Sequence, residues 1–220
     1  MRALALVSLD LFKLGKLLAC DPIPDGVRPV IFLHTQVEDN RHCVCAEVAR
    51  LLNEKKVAPR VILVKDDNGK NKGYSGHEAW MKYLREEFGI SSDAIELVSC
   101  CEYLTTFYES EAAVRYAREQ GIRYLVTVST HVQLERAFIT MVSAIKSLGY
   151  QALRVYARYG VHNWYEKAKQ SPANKPKLRV KLIEGEVERI SEYRRRKYES
   201  TGRLVSIAHV LSYLRRRDEV

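Results

Sequence analysis

A chain of 220 residues and 25.3 kDa is long enough to bury a sizeable core, so neither disulfides nor metals are needed to hold it together. With 46% hydrophobic and 29% charged residues, the composition is that of a globular protein and excludes a disordered chain or a coiled coil. The net charge of +9 invites nucleic acid or an anionic surface as a partner, but residues 1–170 supply only +3 of it and residues 171–220 supply +6.

Five cysteines, an odd number, exclude a fully paired internal framework and make a reducing, cytoplasmic setting the default. The run His42-Cys43-Val44-Cys45 has the look of a metal signature. On a helix, however, positions 43 and 45 face apart, and no second CxxC or HxxxH completes a ligand set. No metal site is expected.

At the start, Leu17-Leu18-Ala19-Cys20 resembles a lipoprotein cleavage box, but Asp10, Lys13 and Lys16 interrupt the apolar stretch where a signal core is uncharged. Leu4, Val7, Leu11, Leu14 and Leu18 recur at helical spacing, which predicts an amphipathic helix lying on a core; no stretch reads as a transmembrane span. After the turn at 21–26, the short apolar run Val30–Leu33 reads as a buried parallel strand. A helix is expected from Arg41 to Lys55, a strand at Val61–Val64, and a long polar loop from Lys65 to Tyr74. Next come a helix from Gly76 to Phe88, a strand at Ile95–Val98 and a helix over 107–120. A strand at Tyr124–Val128, a helix from His131 to Leu148 and a strand at Ala152–Tyr156 complete the alternation.

Five strands alternating with helices predict an α/β fold: a Rossmann-like three-layer sandwich with a five-stranded, mostly parallel sheet over residues 1–170. Beyond it, residues 171–220 read as a basic helical C-terminal extension. Ile183, Val187 and Ile190 mark one amphipathic helix running into Arg194-Arg195-Arg196-Lys197. Leu204, Ile207, Ala208, Leu211 and Leu214 mark a second that ends in Arg215-Arg216-Arg217. Such helices dock on the body or form a homodimer contact, and basic residues at their C-termini suit the helix dipole.

Right-handed crossovers place the carboxyl ends of all the strands on one edge, where function is expected. His34 and Thr35 follow the first strand, Asp66 and Asp67 the second, with Ser75, Gly76, His77 and Glu78 leading into the next helix. Thr106 follows the third strand, Ser129, Thr130, His131 and Arg136 the fourth, and Tyr159, Gly160 and His162 the fifth. Ser75-x-x-Glu78 and Thr106-x-x-Glu109 also have the form of capping boxes, and Ser129 or Thr130 suits a helix cap. His131 and Arg136 are the pair best suited to an anion, because a histidine in the first helical turn sits beside hydroxyls and unpaired amides. There is no G-x-G-x-x-G, no P-loop and no nucleophile elbow, which argues against an ordinary dinucleotide enzyme, a P-loop NTPase and an α/β-hydrolase.

These segments resemble the YdcF/SanA/ElyC-like family of uncharacterised bacterial α/β domains. The likeness rests on Ser75-Gly76, Glu78-Ala79, Met81, Leu84 and Gly89-Ile90, on Asp93 and Ile95, on Thr106 and Glu109, and on Val126-Thr-Val-Ser-Thr-His131 with Arg136-Ala137. It covers roughly residues 28–157. The chain departs from the family after the first strand, where His34-Thr35-Gln36 replace the usual glycines, and in a longer lysine-rich loop before Ser75. The resemblance implies a Rossmann-like sheet with a ligand cleft at the carboxyl edge, and S-adenosylmethionine as a candidate cofactor.

The first functional expectation is thus a small-ligand-binding protein, with transferase or hydrolase activity open, whose ligand is an anionic or nucleotide-like metabolite. His131 and Glu78 are the acid/base candidates; His34, Thr35, Asp67, Ser75, Gly76, Thr106, Ser129, Thr130 and Arg136 are the ligand-binding candidates. The alternative is a non-catalytic interaction protein whose basic C-terminal helices bind nucleic acid or an acidic surface. The weakest is metal-assisted hydrolysis through Asp66, Asp67, His77 and His131.

Overall fold

The computed structural model describes residues 2–34, 38–65, 74–100, 104–169, 175–195 and 204–219. After the N-terminal helix α1 (Arg2–Ala19), strands and helices alternate: β1 (Val30–Leu33), α2 (Glu38–Asn53), β2 (Val61–Lys65), α3 (Gly76–Phe88), β3 (Ile95–Ser99), α4 (Thr106–Glu119), β4 (Tyr124–Thr130), α5 (Leu134–Ser147) and β5 (Arg154–Gly160). A two-stranded hairpin follows, β6 (Lys167–Ala168) and β7 (Lys177–Leu178), then α6 (Leu182–Arg195) and α7 (Ile207–Arg217). The five main strands are all parallel, in the order β3-β2-β1-β4-β5. That is the doubly wound order whose direction reverses between β1 and β4, and ligand crevices form at the carboxyl ends of strands at such a reversal.

Alternation along the strands builds both faces. Phe32, Ile62, Val64, Leu125 and Val155 pack with α1, α4 and α5, while Ile31, Leu33, Val61, Leu63, Val126 and Tyr156 pack with α2 and α3. The sequence-predicted amphipathic start is seated as expected, with Leu11, Leu14 and Leu18 of α1 buried in the first of these layers. No helix among the described residues is long and apolar enough to cross a membrane.

The last helices join the same core. Ile190 of α6, together with Leu204, Val205, Ile207 and Val210 at α7, lies in the layer that contains α1 and α5. The reason is visible at β5, the edge strand of the sheet, whose outer backbone groups need partners. The Val155 N–H donates to the Tyr213 hydroxyl (2.8 Å), and that hydroxyl donates to the Leu153 carbonyl (3.2 Å). Arg217 donates to the Val155 carbonyl (2.8 Å), and the Ala157 N–H donates to Asp21 (2.9 Å). Side chains of α7 and of the turn after α1 therefore close the sheet edge.

Helix α2 runs from Glu38 to Asn53 rather than from Arg41 to Lys55, and α4 sits one residue earlier than expected. Strands β2 and β3 each run one residue further, and β5 opens at Arg154 rather than Ala152; the larger differences lie at the carboxyl edge. Strands β4 and β5 run on to Thr130 and Gly160, and residues 131–133 form a turn, so the helix expected from His131 begins at Leu134. Ser129 and Thr130, suited by sequence to a helix cap, are buried strand residues. Finally, the apolar positions Ile183 and Ala208 face solvent, whereas Arg217 is buried.

Candidate functional site

His34, Thr130 and His131 stand where β1 and β4 end, at the reversal of strand order. His34 is fully buried, its ring edge-on to Phe32, with Nδ1 3.5 Å from Glu109 Oε2 of α4. Thr106 is not a capping residue. The cap of α4 is Thr105, whose hydroxyl accepts from the Tyr108 N–H, one residue earlier than the Thr106-x-x-Glu109 pattern suggests. That shift frees the Thr106 hydroxyl to accept from Arg136 and from Gln133 Nε2 (3.3 Å).

Arg136 points into the protein. Its Nε and Nη2 donate to Glu186 of α6 at 2.7 and 3.1 Å, and the guanidinium lies 5.4 Å from the Tyr193 ring centroid. Its charge is thus already matched inside the fold. His131 lies elsewhere, in the turn ahead of α5, with its ring centroid 3.4 Å from Tyr159, 5.3 Å from Trp164 and 5.9 Å from His162. Burial, helped by the neighbouring His162, depresses its pKa to about 4, so the imidazole is neutral at pH 7 and offers no charge to an anion. His162 is shifted downward as well, by burial and then by the charge of Arg179.

Ser75 and Glu78 are exposed at the start of α3, beyond β2. Ser75 makes no side-chain cap bond, so the sequence-predicted capping box does not form there. Gly76 has φ of +84°, a conformation glycine adopts freely, and this shapes the entry to α3. Because β1 separates β2 from β4, the strand ends below Glu78 and His131 are about 10 Å apart. Thr35, Asp66 and Asp67 lie outside the described residues. No group of three His, Cys, Asp or Glu side chains that could hold a metal ion occurs among the described residues. Burial raises the thiol pKa of Cys43 to about 11 and of Cys45 to about 12, which keeps both protonated.

The polar groups that do converge came partly from outside the sequence-predicted set. Asn40, Thr130, Gln133, Lys169, Arg179 and Glu186, with Val132 and Leu182, line a cavity of about 20 Å³ above the β1/β4 reversal. Arg179 reaches it because the segment after β5 folds back over the edge: the Lys169 N–H donates to Asp39, the Arg179 N–H to the Glu166 carbonyl and the Val180 N–H to the Trp164 carbonyl. The Arg179 side chain is 6% exposed and donates to the Asn40 side chain and the Asp39 carbonyl, both neutral oxygens. Its Nε has no hydrogen-bond partner, and the ion-pair carboxylate, Glu166 Oε2, is 4.0 Å away on a 61% exposed side chain. Asn40 could have been suspected as a residue just past the first strand. Lys169 and Arg179 gave no local signal, since only the β6–β7 fold-back brings them to the sheet.

No protein-family model matches the chain, and no curated protein matches it.

Proposed function

We propose that the protein binds a small anionic, nucleotide-like metabolite at the carboxyl edge between β1 and β4. The observation behind this reading is Arg179, a buried cation on the cavity wall that is bonded to neutral oxygens and only loosely paired with Glu166. A buried charge is costly unless an opposite charge compensates it, and one carboxylate or phosphoryl oxygen of a ligand would do so. A cavity of about 20 Å³ admits one such oxygen in the place of a water, with the rest of the ligand outside it. Lys169 adds a second positive group, and Thr130 and Gln133 add neutral donors.

Two further features favour a nucleotide-like body. The strand order is the one that places nucleotides at the carboxyl edge. The rings of His131, Tyr159, His162 and Trp164 form an uncharged cluster of mutually tilted aromatic faces on the same edge, suited to a heterocycle. S-adenosylmethionine, which combines a carboxylate with adenine, is the candidate that the likeness to the YdcF/SanA/ElyC-like group also suggests. A transferase or hydrolase step would draw on His131, but a group that ionises near pH 4 is a weak base, and Glu78 stands over a different strand. The geometry therefore favours binding over a catalytic step. The free thiols of Cys43 and Cys45 fit a cytoplasmic setting.

Thermal shift of the full-length protein with S-adenosylmethionine, adenosine and guanosine phosphates, and small carboxylates tests the reading. At a hundredfold excess over Kd, a true ligand stabilises by about 2.7 kcal/mol. Lys169→Ala should weaken the shift and Arg179→Gln abolish it, with Arg179→Lys retaining part. No stabilising ligand in the panel, or a shift unchanged in Arg179→Gln, would sink the proposal.

A further inference from the structure

A second concave surface lies at the opposite, amino edge of the sheet. Arg123 immediately precedes β4 and Arg154 opens β5, and the Arg154 N–H donates to the Arg123 carbonyl at 2.9 Å, which sets the two residues side by side. The last turn of α7 brings Arg216 and Arg217 to the same place. With Gln151, Ala152, Leu153 and Tyr213 they line a groove of about 350 Å³, and no carboxylate stands among the described residues that line it.

The arginines are not equivalent. Arg217 is turned inward, its guanidinium paired with Asp21 at 2.6 and 2.9 Å and with Asp218 at 2.8 Å. Arg123 and Arg216 are exposed, and the Arg216 side chain donates to the Ser212 carbonyl of its own helix. Arg154 lies 5.8 Å from the Tyr124 ring centroid. The positive field extends along α7: the pKa of His209 is held below its ordinary value by burial and by the charges of Lys146 and Arg216. Ala152 and the ring of Tyr213 give the groove apolar walls between these cations.

We infer that this groove takes the phosphates of a nucleotide unit, either free or within single-stranded nucleic acid. Guanidinium groups match phosphate oxygens in a planar fork, and the apolar walls suit the sugar or base that separates one phosphate from the next. A volume of about 350 Å³ is within the range of a small-ligand site and far above that of a bare anion hole. The groove is distinct from the Arg179 site, which sits at the other end of the strands.

The test is fluorescence anisotropy of the full-length protein with a labelled single-stranded oligonucleotide and, separately, a labelled nucleoside triphosphate, over a salt series. Arg123→Ala and Arg216→Ala should each weaken binding several-fold, and for the oligonucleotide each should lower the log–log salt slope by about 0.7. Lys82→Ala, on the distant α3, should change neither. Oligonucleotide binding far tighter than nucleotide binding assigns the groove to nucleic acid; equal affinities assign it to the free nucleotide. Binding that survives the Arg123→Ala/Arg216→Ala double variant, no binding at low salt, or competition by inorganic phosphate as effective as by nucleotide would overturn the inference. Because the Arg179 site also takes nucleotides, the nucleoside triphosphate arm and its arginine variants are read in the Arg179→Gln background, where the groove alone remains, so failure of either site can be told from failure of the other. Circular dichroism and melting of the exposed arginine variants confirm that loss of binding is not loss of fold.

Discussion

Arg136 of α5 and Glu186 of α6, fifty residues apart in sequence, form a buried two-point ion pair with N–O distances of 2.7 and 3.1 Å. The arginine that sequence spacing offers to a ligand is therefore a clamp between the α/β body and its C-terminal helices. Removing Glu186 strands Arg136 as a buried charge, whereas removing Arg136 leaves Glu186 the longer pairing to Arg189 at 3.7 Å. Glu186→Gln should therefore destabilise by about 3–5 kcal/mol and Arg136→Leu by somewhat less. The Arg136→Leu/Glu186→Leu double variant should recover much of that loss, because neither charge then remains. Urea unfolding of the three variants checks this, and single variants as stable as the parent would show that the pair holds nothing together.

Tyr213 makes a comparable link at the sheet edge. Its hydroxyl is the partner of both the Val155 N–H and the Leu153 carbonyl, so Tyr213→Phe leaves two backbone groups unsatisfied with little change in packing. The expected cost is about 1–3 kcal/mol. Amide hydrogen exchange should locate the damage at Val155, with helices α2 and α3 unaffected. A variant that retains full protection at Val155 would exclude the edge-closing role.

Gly160, the last residue of β5, is a close-approach glycine. A Cβ built there falls less than 3.0 Å from the Cys43 carbonyl group and the Val44 nitrogen, backbone atoms that cannot rotate aside. Gly160→Ala should therefore push α2 off β5 and destabilise by about 1–3 kcal/mol, measured by thermal melting.

The centre of the fold was legible because parallel strands buried on both faces are continuous apolar runs, and Val30–Leu33 and Val61–Val64 are just that. The continuation of β4 into Ser129-Thr130 and of β5 into Arg158-Tyr159-Gly160 was not. Polar and aromatic residues at a strand end look like loop until the chain that covers them is known. The helix expected from His131 began late for a related reason, since residues 131–133 turn to pass under the fold-back. At the candidate site, strand alternation was enough to collect His34, Thr130 and His131 at one edge. It could not tell that Arg136 is paired with Glu186, nor that Arg179 stands over the edge, because both facts are long-range and carry no local period.

His131 gives a pH signature. Its folded pKa of about 4 lies below the ordinary histidine value of 6.5, so the unfolded chain binds the proton more readily. The contribution to stability is complete above pH 6.5 and is lost progressively as the pH falls from there to about 4. In His131→Phe, which keeps a ring against Tyr159, the loss of stability over that window should be smaller than in the parent. Parallel acid limbs in the two proteins would contradict the neutral, buried assignment.

Glu135, in the first turn of α5, has the opposite signature. Burial, with the nearby negative charge of Glu186, raises its pKa from 4.5 to about 7. Its folded form therefore holds a proton that the unfolded chain has released, and this contribution to stability is present below pH 4.5 and lost as the pH rises to about 7. Glu135→Gln mimics the protonated acid at every pH. It should match the parent near pH 4 and exceed it at pH 8 by about 2 kcal/mol, the value of such a shift reduced for the part of the side chain that water reaches. The slope runs against that of His131, so each must be read as the difference between parent and variant across pH 4–8. A Glu135→Gln variant no more stable than the parent at pH 8 would mean that the carboxylate is ionised without cost beneath α1.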